Sequence, residues 1–325
     1  PSAPGPSGPK VVKLSGSSVV STSGVDTSSE ALQDRNSRFV EKGTKISLKT
    51  AALPPPPTEK KQLGLGGVKA GDFRGTSQEL ERPYIRLHFV PEASTIRPPE
   101  VLKQALALVK QKWVKNNDYQ HATEQLMAVQ QDCRLQGVEG AVVYDAYETH
   151  ARIALEKADL GEFSKCIACL TEYYDRAERK GQPQGTHTNE FIAYRMLHGM
   201  IHDKDFLFTM STEMRELSPQ QRLDSDIGFV IEVGKSIMAG EYESFFRLYT
   251  SAPKMAGYVI DFFVDRIRTE ALRMYVKACQ PEISVDELKQ LLRFEKRKEC
   301  FRFLRDQGMV FSEDKRMVDT KASRG

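Results

Sequence analysis

From about Pro98 onward, apolar positions recur every three to four residues. Val101, Leu102, Ala105, Leu106, Leu108, Val109 and Trp113 keep the 3.6-residue period of one buried helical face. Ahead of them, Ser94-Thr95-Ile96-Arg97-Pro98-Pro99 supplies a hydroxyl for capping and prolines where a first turn tolerates them. Tyr84-Ile85-Arg86-Leu87 predicts a short extended lead-in. The helical pattern continues to Cys279, and it repeats. Four helices are predicted to open on one small element: Asp118-Tyr119, Gly161-Glu162-Phe163, Lys204-Asp205-Phe206 and Gly240-Glu241-Tyr242. Their aromatic positions are 44, 43 and 36 residues apart. A period near 40 in a helical stretch predicts stacked helical hairpins. The acidic residue favours the helix N-terminus and the aromatic plugs the seam between hairpins. Loops are predicted at Gly137, from Gly181 to Gly185 and at Ser218-Pro219, and the short last interval implies a clipped helix.

After Phe245-Phe246-Arg247-Leu248-Tyr249 comes a long helix-patterned segment, Met255 to Cys279, and then the pattern changes. Ser284-Val285-Asp286-Glu287 fits a capping box, with Val285, Leu288, Leu291 and Leu292 as the apolar face of a short helix. A second helix is predicted from about Glu295 to Asp306, burying Cys300, Phe301 and Leu304 and stopped by Gly308. Met309-Val310-Phe311 and Arg316-Met317-Val318 flank the polar turn Ser312-Glu313-Asp314-Lys315, which predicts a hairpin. The expected fold is an all-α helical-repeat (TPR-like) solenoid ending in a winged helix with a small β-hairpin. Residues 81–253 are assigned to the helical hairpins and 254–320 to the last long helix and the winged-helix module.

Residues 1–80 are crowded with Ser, Gly, Pro and Lys and hold few large apolar side chains, so a disordered low-complexity tail is expected there. Pro54 to Pro57 is a stiff polyproline spacer. Gly64-Leu65-Gly66-Gly67 is not a phosphate loop, because no strand precedes it and no Lys-Ser/Thr closes it. No apolar run reaches 18 residues and no secretory signal is legible. Five cysteines without a framework spacing point to a reducing compartment. Charge is segregated: residues 1–97 hold 14 Lys/Arg against 9 Asp/Glu, net +5. Residues 98–253 hold 17 against 23, net −6, and residues 254–325 hold 16 against 12, net +4. An acidic middle between basic ends implies different partners for different parts.

Several runs resemble the SAC/GANP branch of PCI-domain proteins. They are Tyr147-Glu148-Thr149-His150-Ala151-Arg152-Ile153-Ala154-Leu155-Glu156-Lys157; Phe245 to Tyr249 with Ala252-Pro253, Met255, Gly257-Tyr258, Asp261, Arg266, Arg268 and Ala271-Leu272; and the opening Tyr84 to Leu87 with Thr95 to Pro98. The resemblance covers roughly residues 81–320. Within the branch it is to the THO-related member, whose animal counterpart is encoded in the leukocyte receptor cluster. It implies a non-catalytic nuclear scaffold that pairs with a second PCI-domain protein. It also implies a small acidic Sem/DSS-type protein, expected on the partner chain, and an assembly that binds RNA or DNA during transcription, splicing and messenger-RNA export. The alternative is a purely structural PCI subunit of a large complex with no direct nucleic-acid contact.

Within that frame, Lys298, Arg302 and Arg305 follow i, i+4, i+7 on one stripe of the second short helix, with Lys296 and Arg297 beside them. Lys315 and Arg316 lie in the predicted hairpin turn. Together these seven residues are the candidate nucleic-acid-binding set, through phosphates rather than bases. Glu295, Glu299 and Asp306 share the helix and allow a solvated mixed-charge face instead. Arg266, Arg268 and Arg273 either border the same groove or pair with Asp261, Asp265 and Glu270; the sequence leaves both open. Met309, Val310, Phe311, Met317 and Val318 are the candidate partner interface, either pairing with another winged helix or covering the local core. Cys166-Ile167-Ala168-Cys169 has metal or redox spacing, but a lone CxxC inside a helical pattern reads as two buried thiols. His198 and His202 are four apart, yet the HExxH carboxylate is missing, so no metal is assigned to them. His150 reads as a hydrogen-bonded packing residue. No phosphate loop or paired-carboxylate signal emerges, and neither a catalytic residue nor a cofactor is expected.

Overall fold

The structure, a computed structural model, describes residues 73–86, 91–201 and 206–323. The predicted hairpins are built from α1 (Pro99–Asn116), α2 (Tyr119–Leu135), α3 (Ala141–Glu156), α4 (Leu160–Arg179), α5 (Thr188–Gly199), α6 (Phe206–Glu216), α7 (Pro219–Arg222), α8 (Ser225–Ala239) and α9 (Tyr242–Thr250). Two of the short connections form because aspartates cap the next helix. Asp118 accepts from the His121 amide and Asp159 from the Glu162 amide. Ser218 and Gln221 make the reciprocal capping box that opens the single turn α7. The long helices turn an apolar stripe inward, as Leu102, Ala105, Leu106, Val109 and Trp113 do on α1.

The predicted cap of α1 is not used. Pro98 is the N-cap without a side-chain bond, and Ser94 and Thr95 belong to a separate 3-10 turn, Ala93–Thr95. The repeated element also sits differently in its first two copies. Tyr119 is the first residue of α2, whereas Phe163 lies within α4, which begins at Leu160 behind its Asp159 cap. The seam role survives in chemistry: the Tyr119 hydroxyl donates to Asp159 Oδ2 at 2.8 Å, tying one hairpin to the cap of the next. Lys204 and Asp205 lie outside the described residues.

Neighbouring helices pack on one another from α1 to α6, and from α5 onward non-sequential contacts are added. α3 lies against α2 and α4, whereas α5 packs on α8 and on α10 (Ala256–Ile260). The long helix expected from Met255 to Cys279 is two helices, α10 and α11 (Val264–Ala278). Phe262 and Phe263 between them are both buried. Consecutive residues on one straight helix point about 100° apart, so the break is what lets both rings face the core.

The C-terminal unit is β1 (Glu282–Ser284), α12 (Val285–Leu291), α13 (Arg297–Asp306), β2 (Val310–Phe311) and β3 (Met317–Asp319). The predicted hairpin is present, and β1 adds a third, antiparallel strand to give the order β1-β3-β2. Three residues are too few for an alternation signal, so no strand is predicted there. Ser284 does cap α12, through the Asp286 amide. Gly308 stops α13 with φ 76. One apolar cluster runs continuously from Leu102 to Val318.

Packed chain also begins before Glu81, the expected onset of order. The Gly75 amide donates to Gln136 Oε1 at 3.0 Å and the Ser77 amide to Ile96 O at 2.9 Å. A Cβ on Gly75 would stand 2.2 Å from Ile96 O, so only glycine allows this approach. The ordering force is polar pairing rather than apolar burial, which composition does not reveal. Residues 1–72, including the polyproline run and the rest of the expected disordered tail, lie outside the described residues.

Candidate nucleic-acid interface

Lys296, Arg297, Lys298, Arg302, Arg305, Lys315 and Arg316 are all exposed, on α13 and in the β2–β3 turn. Cys300 and Leu304 occupy the opposite, fully buried face of α13. Burial pushes the Cys300 thiol up to about 11, as suits a packing residue. Phe301 is only half-buried and stacks on Phe311 with ring centroids 4.5 Å apart. The two ends of the basic set meet: Arg297 Nη2 donates to the Lys315 carbonyl at 3.4 Å. That turn has its own brace. Ser312 Oγ donates to Asp314 Oδ1 at 2.7 Å, and the Arg316 amide donates to the same oxygen at 3.0 Å. Hydrogen bonds from Ser312 and from that amide hold the Asp314 carboxyl below the usual range. The signal was legible as Ser-x-Asp ahead of the strand.

The cations are not equally free. Lys296 lies 3.8 Å from Glu299, Arg305 3.3 Å from Asp306 and Arg316 3.9 Å from Asp314. Arg297 pairs with Asp286 of α12 at 3.0 Å, a neutralising contact across helices that sequence spacing could not show. Lys298 and Arg302 pair with no carboxylate among the described residues. Arg302 follows one turn after Lys298, which lies in the first turn of α13, whose N-cap, Lys296, makes no side-chain capping bond. Its first amides therefore add positive potential to the same patch.

The arginines of α11 divide. Arg268 is buried: its Nε donates to Leu292 O at 3.1 Å, its Nη1 to Asp265 at 2.9 Å, and its guanidinium lies 3.9 Å from the Phe294 ring centroid. Arg266 donates to Met200 O at 2.7 Å and lies 3.7 Å from Glu270. Both are structural clamps, and Arg273 alone of the three is exposed. The candidate partner residues divide too. Val310 is exposed and Met309, Phe311 and Met317 are half-buried, whereas Val318 is fully buried. β3 is the central strand, flanked by both others, so Met317 and Val318 have no open edge to offer. Only β2 and β1 present edges, and the Val310 amide on β2 is taken by Ser323 Oγ at 2.9 Å.

The remaining motifs resolve separately. Cys166 and Cys169 lie one turn apart on α4, but Cys166 neighbours Glu162 and Gln130 while Cys169 neighbours Arg134 and Tyr147. Burial raises both thiols, the opposite of the low-pKa thiolate that redox exchange uses. His198 is buried with Nε2 2.7 Å from Ser164 Oγ, and His202 lies outside the described residues. A cleft of about 300 Å³ between α4, α5 and α7 is lined by Asp175, Glu178, Glu216 and Arg195, a balance unsuited to phosphate. None of the described helices is long and apolar enough to cross a membrane.

Comparison with known proteins adds an independent view. Residues 82–313 match the SAC3/GANP family. The chain is 35% identical over 254 residues to a THP3 homolog of Schizosaccharomyces pombe, covering 78% of this chain and 62% of that protein. It is 35% identical over 255 residues to the Leukocyte receptor cluster member 8 homolog of Xenopus laevis, covering 77% and 30%. It is 28% identical over 250 residues to Protein THP3 of Saccharomyces cerevisiae, covering 76% and 52%. The chain therefore spans between about a third and about three-fifths of these relatives.

Proposed function

Because the chain belongs to the SAC3/GANP family, we propose that it is a non-catalytic nuclear scaffold subunit acting in messenger-RNA processing, splicing or export. Its stacked hairpins carry a C-terminal winged helix that pairs with a second PCI-domain protein and grips the RNA or DNA backbone. A small acidic Sem/DSS-type protein joins the assembly on the partner chain. The observation that carries the nucleic-acid reading is the pair Lys298 and Arg302, exposed and free of carboxylates among the described residues, with Lys298 in the first turn of a helix whose N-cap makes no side-chain bond. Lys315, brought against Arg297, extends the patch onto the turn. Two or three phosphates bound here would each add about 0.7–0.9 to the salt slope of binding, through released counterions.

On the partner side, the exposed edge residue Val310 and its half-buried neighbours Met309 and Phe311 support docking along β2. Val318 contributes by holding the sheet rather than by touching the partner.

A second reading, a purely structural PCI subunit, is favoured by the ion pairs that neutralise Lys296, Arg297, Arg305 and Arg316. The double charge reversal Lys298→Glu/Arg302→Glu separates the two. In fluorescence anisotropy with a short single-stranded RNA at low salt, the scaffold reading expects at least a ~10-fold loss of affinity with unchanged circular dichroism. Equal affinity of the reversed and parent proteins selects the structural reading.

A further inference from the structure

Three side chains able to ligate a metal meet where α3 packs on α4. A nitrogen of His150, a carboxylate oxygen of Glu162 and the Cys166 sulfur all lie within 4.8 Å of one another. Glu162 and Cys166 are i, i+4 on α4 and share a face; His150 comes across from α3. His150 is completely buried, and its Nε2 has no hydrogen-bond partner. That nitrogen points toward Glu162 Oε1 at 4.0 Å, too far for a hydrogen bond. The other ring nitrogen, Nδ1, is 3.1 Å from Gln130 Nε2 on α2. A buried polar group left unpaired costs about 1–3 kcal/mol. Nothing in the scaffold or nucleic-acid reading uses this group.

We propose that His150, Glu162 and Cys166 form a site for a zinc-class divalent cation, independent of the basic surface at the C-terminus. The donor set is the nitrogen, sulfur and carboxylate combination that such an ion takes, with ligand distances of roughly 2.0–2.3 Å. A tetrahedral ion at those distances holds its ligand atoms roughly 3.4–3.8 Å apart, so the three donors need only close in by side-chain rotation. Charge balances as well. Cys166 Sγ–H gives its proton to water as the sulfur–metal bond forms, Glu162 is a carboxylate and His150 is neutral. A divalent ion then yields a neutral complex, the only kind that burial tolerates cheaply. Gln130 acts from the next shell. With its terminal amide turned so that Oε1 accepts from Nδ1–H, the lone pair at Nε2 is freed for the ion. The route in passes Glu162, whose side chain is 14% exposed and whose other oxygen is held by Lys165 Nζ at 2.8 Å. Water from that side completes the coordination. Cys169 stands outside the set, so the chelating pair is Glu162 with Cys166 and not the two cysteines of CxxC.

Cobalt reports the site directly. The full 325-residue chain is stripped with EDTA, loaded with Co²⁺ and then titrated with Zn²⁺. The expected result is one Co²⁺ per chain with a thiolate-to-cobalt charge-transfer band, displaced by Zn²⁺. Cys166→Ser abolishes the band, whereas Cys169→Ser leaves it unchanged. Gln130→Leu weakens binding about 10–100-fold, as loss of an outer-shell partner does. Glu162→Gln, at the rim of the cluster, weakens binding further and serves if Cys166→Ser does not fold. A folded parent protein without the band overturns the proposal. So does a band that survives Cys166→Ser, an unchanged Co²⁺ affinity in Glu162→Gln, or a band that disappears in Cys169→Ser. Nucleic-acid affinity is not the readout, so neither result bears on the scaffold reading.

Discussion

Asp132, on α2 and wholly buried, faces two guanidinium groups. Arg97 Nε lies 2.7 Å from its Oδ2, and Arg82 Nη2 hydrogen-bonds its Oδ1. Arg97 also donates to Leu80 O at 2.9 Å, so the carboxylate, through its two arginines, anchors the chain around residues 80–82 and at Arg97. Removing it leaves buried positive charge uncompensated, and Asp132→Ala is expected to lose about 3–5 kcal/mol in urea unfolding. His150 sets a pH dependence of its own. Burial pushes its imidazole from 6.5 to about 4, against the opposing pull of Glu162 and Asp159, with Lys165 adding to the lowering. The unfolded chain takes up this proton near 6.5 and the folded one only near 4. Stability is therefore full above about 6.5 and falls as pH drops toward 4, by up to about 3 kcal/mol. His150→Asn, measured by denaturant unfolding in the presence of chelator, is expected to flatten the profile across that window.

Among the elements, α11 decides how the C-terminal unit sits. Arg268 joins it to the α12–α13 loop through the Leu292 and Arg293 carbonyls and through the Phe294 ring. Arg268→Ala removes those bonds from a buried position and is expected to cost about 1–3 kcal/mol. Amide hydrogen exchange should rise across α12, α13 and the sheet while α1 to α4 stay protected, because the lost contacts are local. Equal protection in both regions would show that apolar packing alone holds the junction. The divided helix at Phe262-Phe263 and the strand β1 belong to the same scale. Both arise from what the flanking segments bury and pair with, not from the propensity of their own few residues.

At the scale of the molecule, the sequence places net −6 on residues 98–253 and net +4 on residues 254–325. Such a charge distribution favours a phosphate backbone at the C-terminal unit over the hairpins, which is the polarity the proposed function requires. Lys298→Glu/Arg302→Glu is expected to lower the slope of log affinity against log salt by about 1–2, since each contact carries about 0.7–0.9. Arg273→Glu, on α11 and outside the seven-residue candidate set, is expected to leave the slope unchanged. Titrations of RNA binding across a range of salt concentrations check both.

Most of the helices and the family were legible in the chain itself. Apolar period, aspartate and serine caps and glycine stops act within a few residues, and motifs such as Tyr147 to Lys157 need no partner to be read. Exposure of Lys298 and Arg302 followed from the same periodicity, because Cys300 and Leu304 fix which way α13 faces. Contacts between distant segments were not legible. Asp286 against Arg297, Asp132 between Arg82 and Arg97, and β1 beside β3 join residues whose meeting depends on how the elements stack. For His150 the sequence predicts a hydrogen-bonded packing residue, as its bond to Gln130 bears out, but not that it faces Glu162 and Cys166. Local free energy chose the helices; only the packing of one helix on another chose which charges are spent on the fold and which remain for binding.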